Sequence, residues 1–122
     1  MGNGDRHNAA LGGFGEDRAA LHYRAHGYEV LERNWRCVQG EIDILCSRRN
    51  PSGYLTLVVC EVKARSSNSH GHPLEAVTPA KQRRLRRLAA IYLESQNVFY
   101  DHVRFDVAAA DRHALHIFES AF

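Results

Sequence analysis

Cysteine is scarce: Cys37, Cys46 and Cys60 are odd in number and lack CxxC spacing, which excludes a disulfide framework and a zinc knuckle and leaves three small, reduced core residues. Also missing is any apolar run near the roughly 20 residues that a helix needs to cross a bilayer. The N-terminus lacks the charged, apolar and small-residue blocks of a secretory signal, and Arg6 stands where an N-myristoylation signal wants Ser or Thr. These absences make a cytoplasmic protein without a membrane partner the expectation. There is no internal repeat. There is no Gly-rich phosphate loop either, which speaks against a phosphohydrolase acting on small nucleotides. An excess of one charge is missing overall, with 16 Lys and Arg against 14 Asp and Glu.

What is present is uneven. The composition, 44% hydrophobic and 25% charged over 122 residues, suits one globular domain with a single core. Charge nevertheless clusters, because Lys63 to Arg87 holds seven Lys and Arg against the single acid Glu75, a field suited to a polyanion. Residues 1–13, rich in Gly and Asn, read as a flexible tail, and 14–122 as the domain. From Phe14 to His26 the apolar spacing of Ala19, Ala20 and Tyr23 predicts a helix that Gly27 ends. Glu16 lies on that same face and looks toward the body of the protein. Its two readings are a site carboxylate and a residue that favours the positive end of the helix dipole.

A strand is expected at Tyr28 to Arg33, after which Asn34-Trp35-Arg36 leads into a loop. Gly40 to Leu45 and Leu57 to Lys63 are stronger strands, joined as a hairpin by the turn residues Arg48 to Gly53. In this pairing Glu41, Asp43 and Leu45 share one face, Val59, Glu61, Lys63 and Arg65 share the next, and Ile42, Ile44, Cys60 and Val62 take the opposite side against a helix. Ser66 to Pro73 is a polar loop expected to be poorly ordered without ligand, its His70 and His72 more simply solvated than metal-binding. Thr78-Pro79 starts a helix to about Gln96 whose buried face is Lys81, Leu85, Leu88, Ala89 and Tyr92. Two more strands follow, Val103 to Ala108 and Ala114 to Phe118. A helix between strands brings the fourth in parallel, so the fold class is α/β, a central mixed five-stranded sheet flanked by helices.

Acids inside apolar strands are costly unless something pairs with them. Asp43 and Glu61 fall at similar depth on neighbouring strands, and Lys63, two residues on, stands about 6.7 Å from Glu61 on the same side. Mg2+ or Mn2+ suits such a site, taking one or two carboxylates, with the Val62 carbonyl as a further ligand. Lys63 then serves either as base or as electrostatic stabiliser in phosphodiester hydrolysis. The candidate metal ligands are Asp43, Glu61 and Val62, and the candidate phosphate contacts are Arg36, Arg65, Lys81, Arg83, Arg84 and Arg87. The plainer alternative is a salt bridge of Lys63 with Glu61 or Asp43 on a solvent-facing sheet. A nucleic-acid-binding or scaffolding module is the matching functional alternative.

Gly15-Glu16, Gly27-Tyr28, Arg33-Asn34-Trp35-Arg36, Gly40-Glu41-Ile42-Asp43, Glu61-Val62-Lys63-Ala64-Arg65, Ala76-Val77 with Lys81, Arg104-Phe105-Asp106-Val107 and Ala121-Phe122 occur in order along the chain. In these residues, from Gly12 to Phe122, the chain resembles the YraN-like family, which is grouped by similarity with endonucleases. That resemblance implies a restriction-endonuclease-like PD-(D/E)xK core similar to Holliday junction resolvases. It gives Asp43, Glu61 and Lys63 the acid, acid and lysine positions and Glu16 the extra helix carboxylate, so the implied catalytic set is Glu16, Asp43, Glu61 and Lys63. It also implies metal-dependent cleavage of DNA, branched or distorted, by a homodimer.

Overall fold

The computed structural model describes residues 3–65 and 71–122, with side chains described from Phe14 onward. Helix α1 (Asn3–Ala25) is followed by strands β1 (Glu29–Cys37), β2 (Gly40–Arg49) and β3 (Leu55–Ala64), a 3-10 turn (Pro73–Ala76), helix α2 (Pro79–Glu94), and strands β4 (His102–Ala110) and β5 (Leu115–Phe118). The strands form one sheet in the order β1-β2-β3-β4-β5. Only β3 and β4 run parallel, because α2 connects them as a crossover, and every other neighbouring pair is antiparallel. The mixed α/β sheet expected from the sequence is therefore present. No helix among the described residues is long and apolar enough to cross a membrane.

The helices cover opposite faces. Ala19, Ala20 and Tyr23 of α1 pack on Ile44, Cys46, Val58, Cys60 and Ala108. On the other side Leu85, Leu88, Ala89 and Tyr92 of α2 pack on Ile42, Leu45, Leu57, Val59, Phe105 and Val107. The three cysteines are free, Cys46 and Cys60 within the α1-side core. Helix α1 ends as the sequence implies: Gly27 takes φ +85°, the Tyr28 N–H donates to the Tyr23 carbonyl at 3.0 Å, and the Tyr23 and Tyr28 rings meet edge-on at 5.2 Å. Thr78 caps α2, its Oγ1 accepting from the Lys81 N–H at 3.3 Å, with Pro79 at the first helical position.

Two boundaries and one face assignment differ from the sequence reading. Helix α1 begins at Asn3 rather than Phe14, so the segment expected as a tail is helical in its backbone from residue 3 on. Strand β1 continues through Asn34-Trp35-Arg36, expected as a loop, because Trp35 pairs opposite Ile42 and its ring meets Tyr92 of α2 at 5.5 Å. That packing of a partly buried ring overrides the weak local alternation. Third, Ile42 does not share a face with Ile44: Ile42 and Leu45 both lie in the α2-side core and Ile44 in the α1-side core, so alternation slips by one residue around Asp43. Residues 66–70 of the expected loop, His70 among them, lie outside the described residues, whereas His72 caps the 3-10 turn, its Nδ1 accepting from the Leu74 N–H at 3.2 Å.

A buried polar anchor fixes α1 on the sheet. Asp106 has no solvent exposure and accepts from the Tyr23 hydroxyl at 2.7 Å, from Arg104 Nε and NH2 at 2.9 and 2.8 Å, and from the Ser120 N–H at 3.1 Å. Removing one partner of such a buried charge pair leaves the other uncompensated. Asp106→Ala is therefore expected to lower the unfolding free energy by about 3 kcal/mol or more in urea denaturation; a loss under about 1 kcal/mol, the worth of one ordinary hydrogen bond, contradicts this role.

Candidate metal centre

The ladder between β2 and β3 runs from Arg49↔Leu55 to Ile44↔Cys60 and stops there. Beyond that point β2 continues only with β1, as far as Cys37↔Gly40, and β3 only with β4, as far as Ala64↔Ala110. The sheet forks at the level of Asp43 and Glu61. Into the fork the Asp43 carboxylate replaces the missing ladder, its Oδ2 accepting from the Val62 N–H at 2.8 Å. In a strand a residue's N–H and C=O face the same neighbour, so the Val62 carbonyl faces the fork as well.

Helix α1 closes one side of the fork. A close approach makes this possible: a Cβ on Gly15 would stand 3.2 Å from Val62 Cγ1 and 3.4 Å from Ala110 Cβ. The next residue, Glu16, is 8% exposed and projects onto β2. Carboxylate oxygens of Glu16, Glu41 and Asp43 all lie within 4.8 Å of one another. Burial, then the charge of Glu61, pushes the Asp43 carboxyl up to about 7, with smaller contributions from Glu16 and Glu41 and the Val62 hydrogen bond acting against them. Burial also raises Glu16, which the Asn34 amide and the Arg33 guanidinium lower. Three oxygen acids crowded in a half-buried cleft fit a hard divalent cation such as Mg2+ or Mn2+.

The sequence-predicted residues divide between two adjoining groups. Glu16 and Asp43 meet in the acid cluster. Glu61 is not one of its three members: Lys63 Nζ stands 3.6 Å from Glu61 Oε1, with side chains only 21% and 19% exposed. This is the salt bridge of the plainer alternative, but in a sheltered rather than solvent-facing setting. Lys81, on the first turn of α2, stands beside Lys63, whose charge and contact hold it below the usual lysine value. Arg83, Arg84 and Arg87 are exposed along α2. Arg36, 74% exposed, pairs with Glu41 at 2.8 Å, and the Arg65 guanidinium donates to the Gly71 carbonyl at 2.8 Å.

Glu41 received no role from the sequence, although it shares Asp43's face by simple alternation. A third acid facing the same side as two candidate ligands was the available signal. Asn34 is the other addition: its Nδ2 donates to Glu16 Oε2 at 3.2 Å.

The model of a family described as "Uncharacterised protein family UPF0102" matches residues 15–110, and this is the YraN family of the sequence resemblance. A UPF0102 protein of Acidothermus cellulolyticus is 47% identical, the match covering 82% of this chain and 80% of the relative. UPF0102 proteins of Frankia casuarinae and Beutenbergia cavernae are 47% and 48% identical, in each case over 84% of this chain and 83% of the relative.

The raised Asp43 sets a pH dependence. Its folded value, about 7, lies above the ordinary carboxylate value of 3.8, so its stability contribution is complete below that value and is lost as pH rises through 7. In chelator, unfolding free energy should fall by about 2 to 4 kcal/mol across that window. Asp43→Asn should flatten the fall, and saturating Mn2+ should reverse it in the wild type only; an equal slope in both proteins contradicts the assignment.

Proposed function

We propose that this chain, which belongs to the UPF0102 family, is a divalent-metal-dependent endonuclease that hydrolyses phosphodiester bonds in DNA, with branched or distorted DNA as its substrate. The observation that carries this reading is a pair of opposite electrostatic mismatches side by side. Three carboxylates are crowded where a cation relieves them, and Lys63 and Lys81 are crowded together beside Glu61, whose charge reaches Asp43 of that cluster, where an anion relieves them. A metal and a phosphate satisfy both at once.

Glu16, Glu41 and Asp43 hold the ion in this reading, with the Val62 carbonyl facing the same fork. Bound there, magnesium or manganese supplies the Lewis acidity that phosphodiester hydrolysis requires at neutral pH. Glu61 orients the Lys63 ammonium toward the fork, where it donates to a phosphoryl oxygen and stabilises the charge that builds there. Lys81 contributes a second donor from α2. Arg83, Arg84 and Arg87 continue the positive surface along the helix and hold the nucleic-acid backbone without reading its sequence. A homodimer would present two such centres to paired scissile phosphates.

A catalytically silent nucleic-acid-binding module is the second reading. Its support is that Arg36 already pairs with Glu41, and Arg33 with Asp17 at 2.6 Å and Glu16 at 3.9 Å, so part of the acidic charge is neutralised within the chain. The endonuclease reading predicts cleavage of plasmid or four-way-junction DNA by pure protein with Mn2+, and a loss of at least about 100-fold in Asp43→Asn and Glu61→Ala. Equal cleavage by wild type and Glu61→Ala sinks it, and salt-sensitive binding without cleavage favours the silent module. In either case Arg83→Ala with Arg87→Ala should weaken binding uniformly across sequences and reduce the salt slope by about 2.

A further inference from the structure

Asn34 sits inside β1, between Arg33 opposite Ile44 and Trp35 opposite Ile42, so by register it faces Asp43. Its φ is +52°. Strand geometry continues on both sides of it, and a side-chain-bearing residue in left-handed conformation there is strained. Glycine adopts that conformation without cost, so the conformation alone does not call for asparagine. What asparagine adds is its amide, and that amide is the donor to Glu16 Oε2.

The geometry points to Asn34 as the positioning residue of the acid cluster, a role that rests on the metal-centre reading above. Glu16 reaches the cluster from a helix, while Glu41 and Asp43 arrive together on β2. Its carboxylate is therefore placed against the two strand acids by contacts of its own rather than by the β2 backbone that carries both of them. The Asn34 amide, a neutral donor, fixes Glu16 Oε2 without quenching the carboxylate's charge. Arg33 at 3.9 Å is too distant to do this by hydrogen bonding and is engaged by Asp17. The left-handed turn of the backbone at residue 34 aims the amide at α1, and so links the helix ligand to the strand ligands.

Two substitutions separate the amide from the backbone. Asn34→Gly removes the amide and relieves the strain, whereas Asn34→Ala removes the amide and increases the strain, since alanine tolerates the left-handed conformation less well than asparagine. With the full chain, metal-free melting and calorimetric titration with Mn2+ should give a split result. Asn34→Gly melts several degrees above Asn34→Ala, yet both lose Mn2+ affinity by the same factor, about 10-fold or more, as outer-sphere partners of metal ligands do. Affinity that follows melting temperature, with Asn34→Gly near wild type, overturns the role, as does unchanged affinity in both variants. If the wild type itself binds no Mn2+ at millimolar concentration, the metal-centre reading fails and takes this inference with it.

Discussion

Three carboxylates held within 4.8 Å of one another are the constraint that the rest of this structure serves. At that spacing each ionised pair repels by about 3 kcal/mol at an effective dielectric of about 20. Domains of this size are stable by only about 5 to 15 kcal/mol in total. The arrangement persists because the fold fixes the elements that carry it and because Arg36 and Arg33 offset part of the charge. Ala19, Ala20 and Tyr23 seat α1 on the sheet, the Tyr23 bond to Asp106 sets its depth, and Gly15 lets its backbone approach Val62 and Ala110. Glu16, seven residues or two turns before Tyr23, is thereby carried onto β2.

The sheet adds the second half of the device. A continuous ladder between β2 and β3 would bury Asp43 and Glu61 against each other with no room for a third party. The fork after Ile44↔Cys60 opens that space, and the slip in alternation around Asp43 separates the acids of α1 and β2 from the lysine group that faces α2. The acid cluster and the Glu61–Lys63 pair with Lys81 thus meet from opposite faces of one sheet at one gap. The Asp43 hydrogen bond to the Val62 N–H keeps the fork from leaving an unpaired buried donor.

Much of this was legible in the sequence, for physical reasons that can be named. The expected connection from Arg48 to Gly53 set the hairpin register, although Arg48 and Arg49 themselves belong to β2, and Ile44↔Cys60 puts Asp43 at the level of Glu61, as counting from the turn implied. The Thr78-Pro79 cap and the apolar spacing located α2 and four of its five expected inward residues, with Lys81 half-buried rather than buried. What escaped depended on contacts distant in sequence. The fork and the slip at Asp43 break the period of two on which the face assignments rested, so Ile42 was placed on the wrong side and Glu41 was given no role. The extension of β1 came from Trp35 meeting Tyr92, and the Asp106 anchor from a partner 83 residues away. No local pattern encodes either.

The central claim, that the crowded acids exist to hold a cation, is tested most directly by crystals soaked in Mn2+ and measured at the manganese absorption edge. The account predicts one anomalous peak bounded by Glu16, Glu41 and Asp43, at roughly 2.0 to 2.2 Å from their ligating oxygens. An empty cluster under saturating manganese, with the three carboxyls instead hydrogen-bonded to one another, contradicts it.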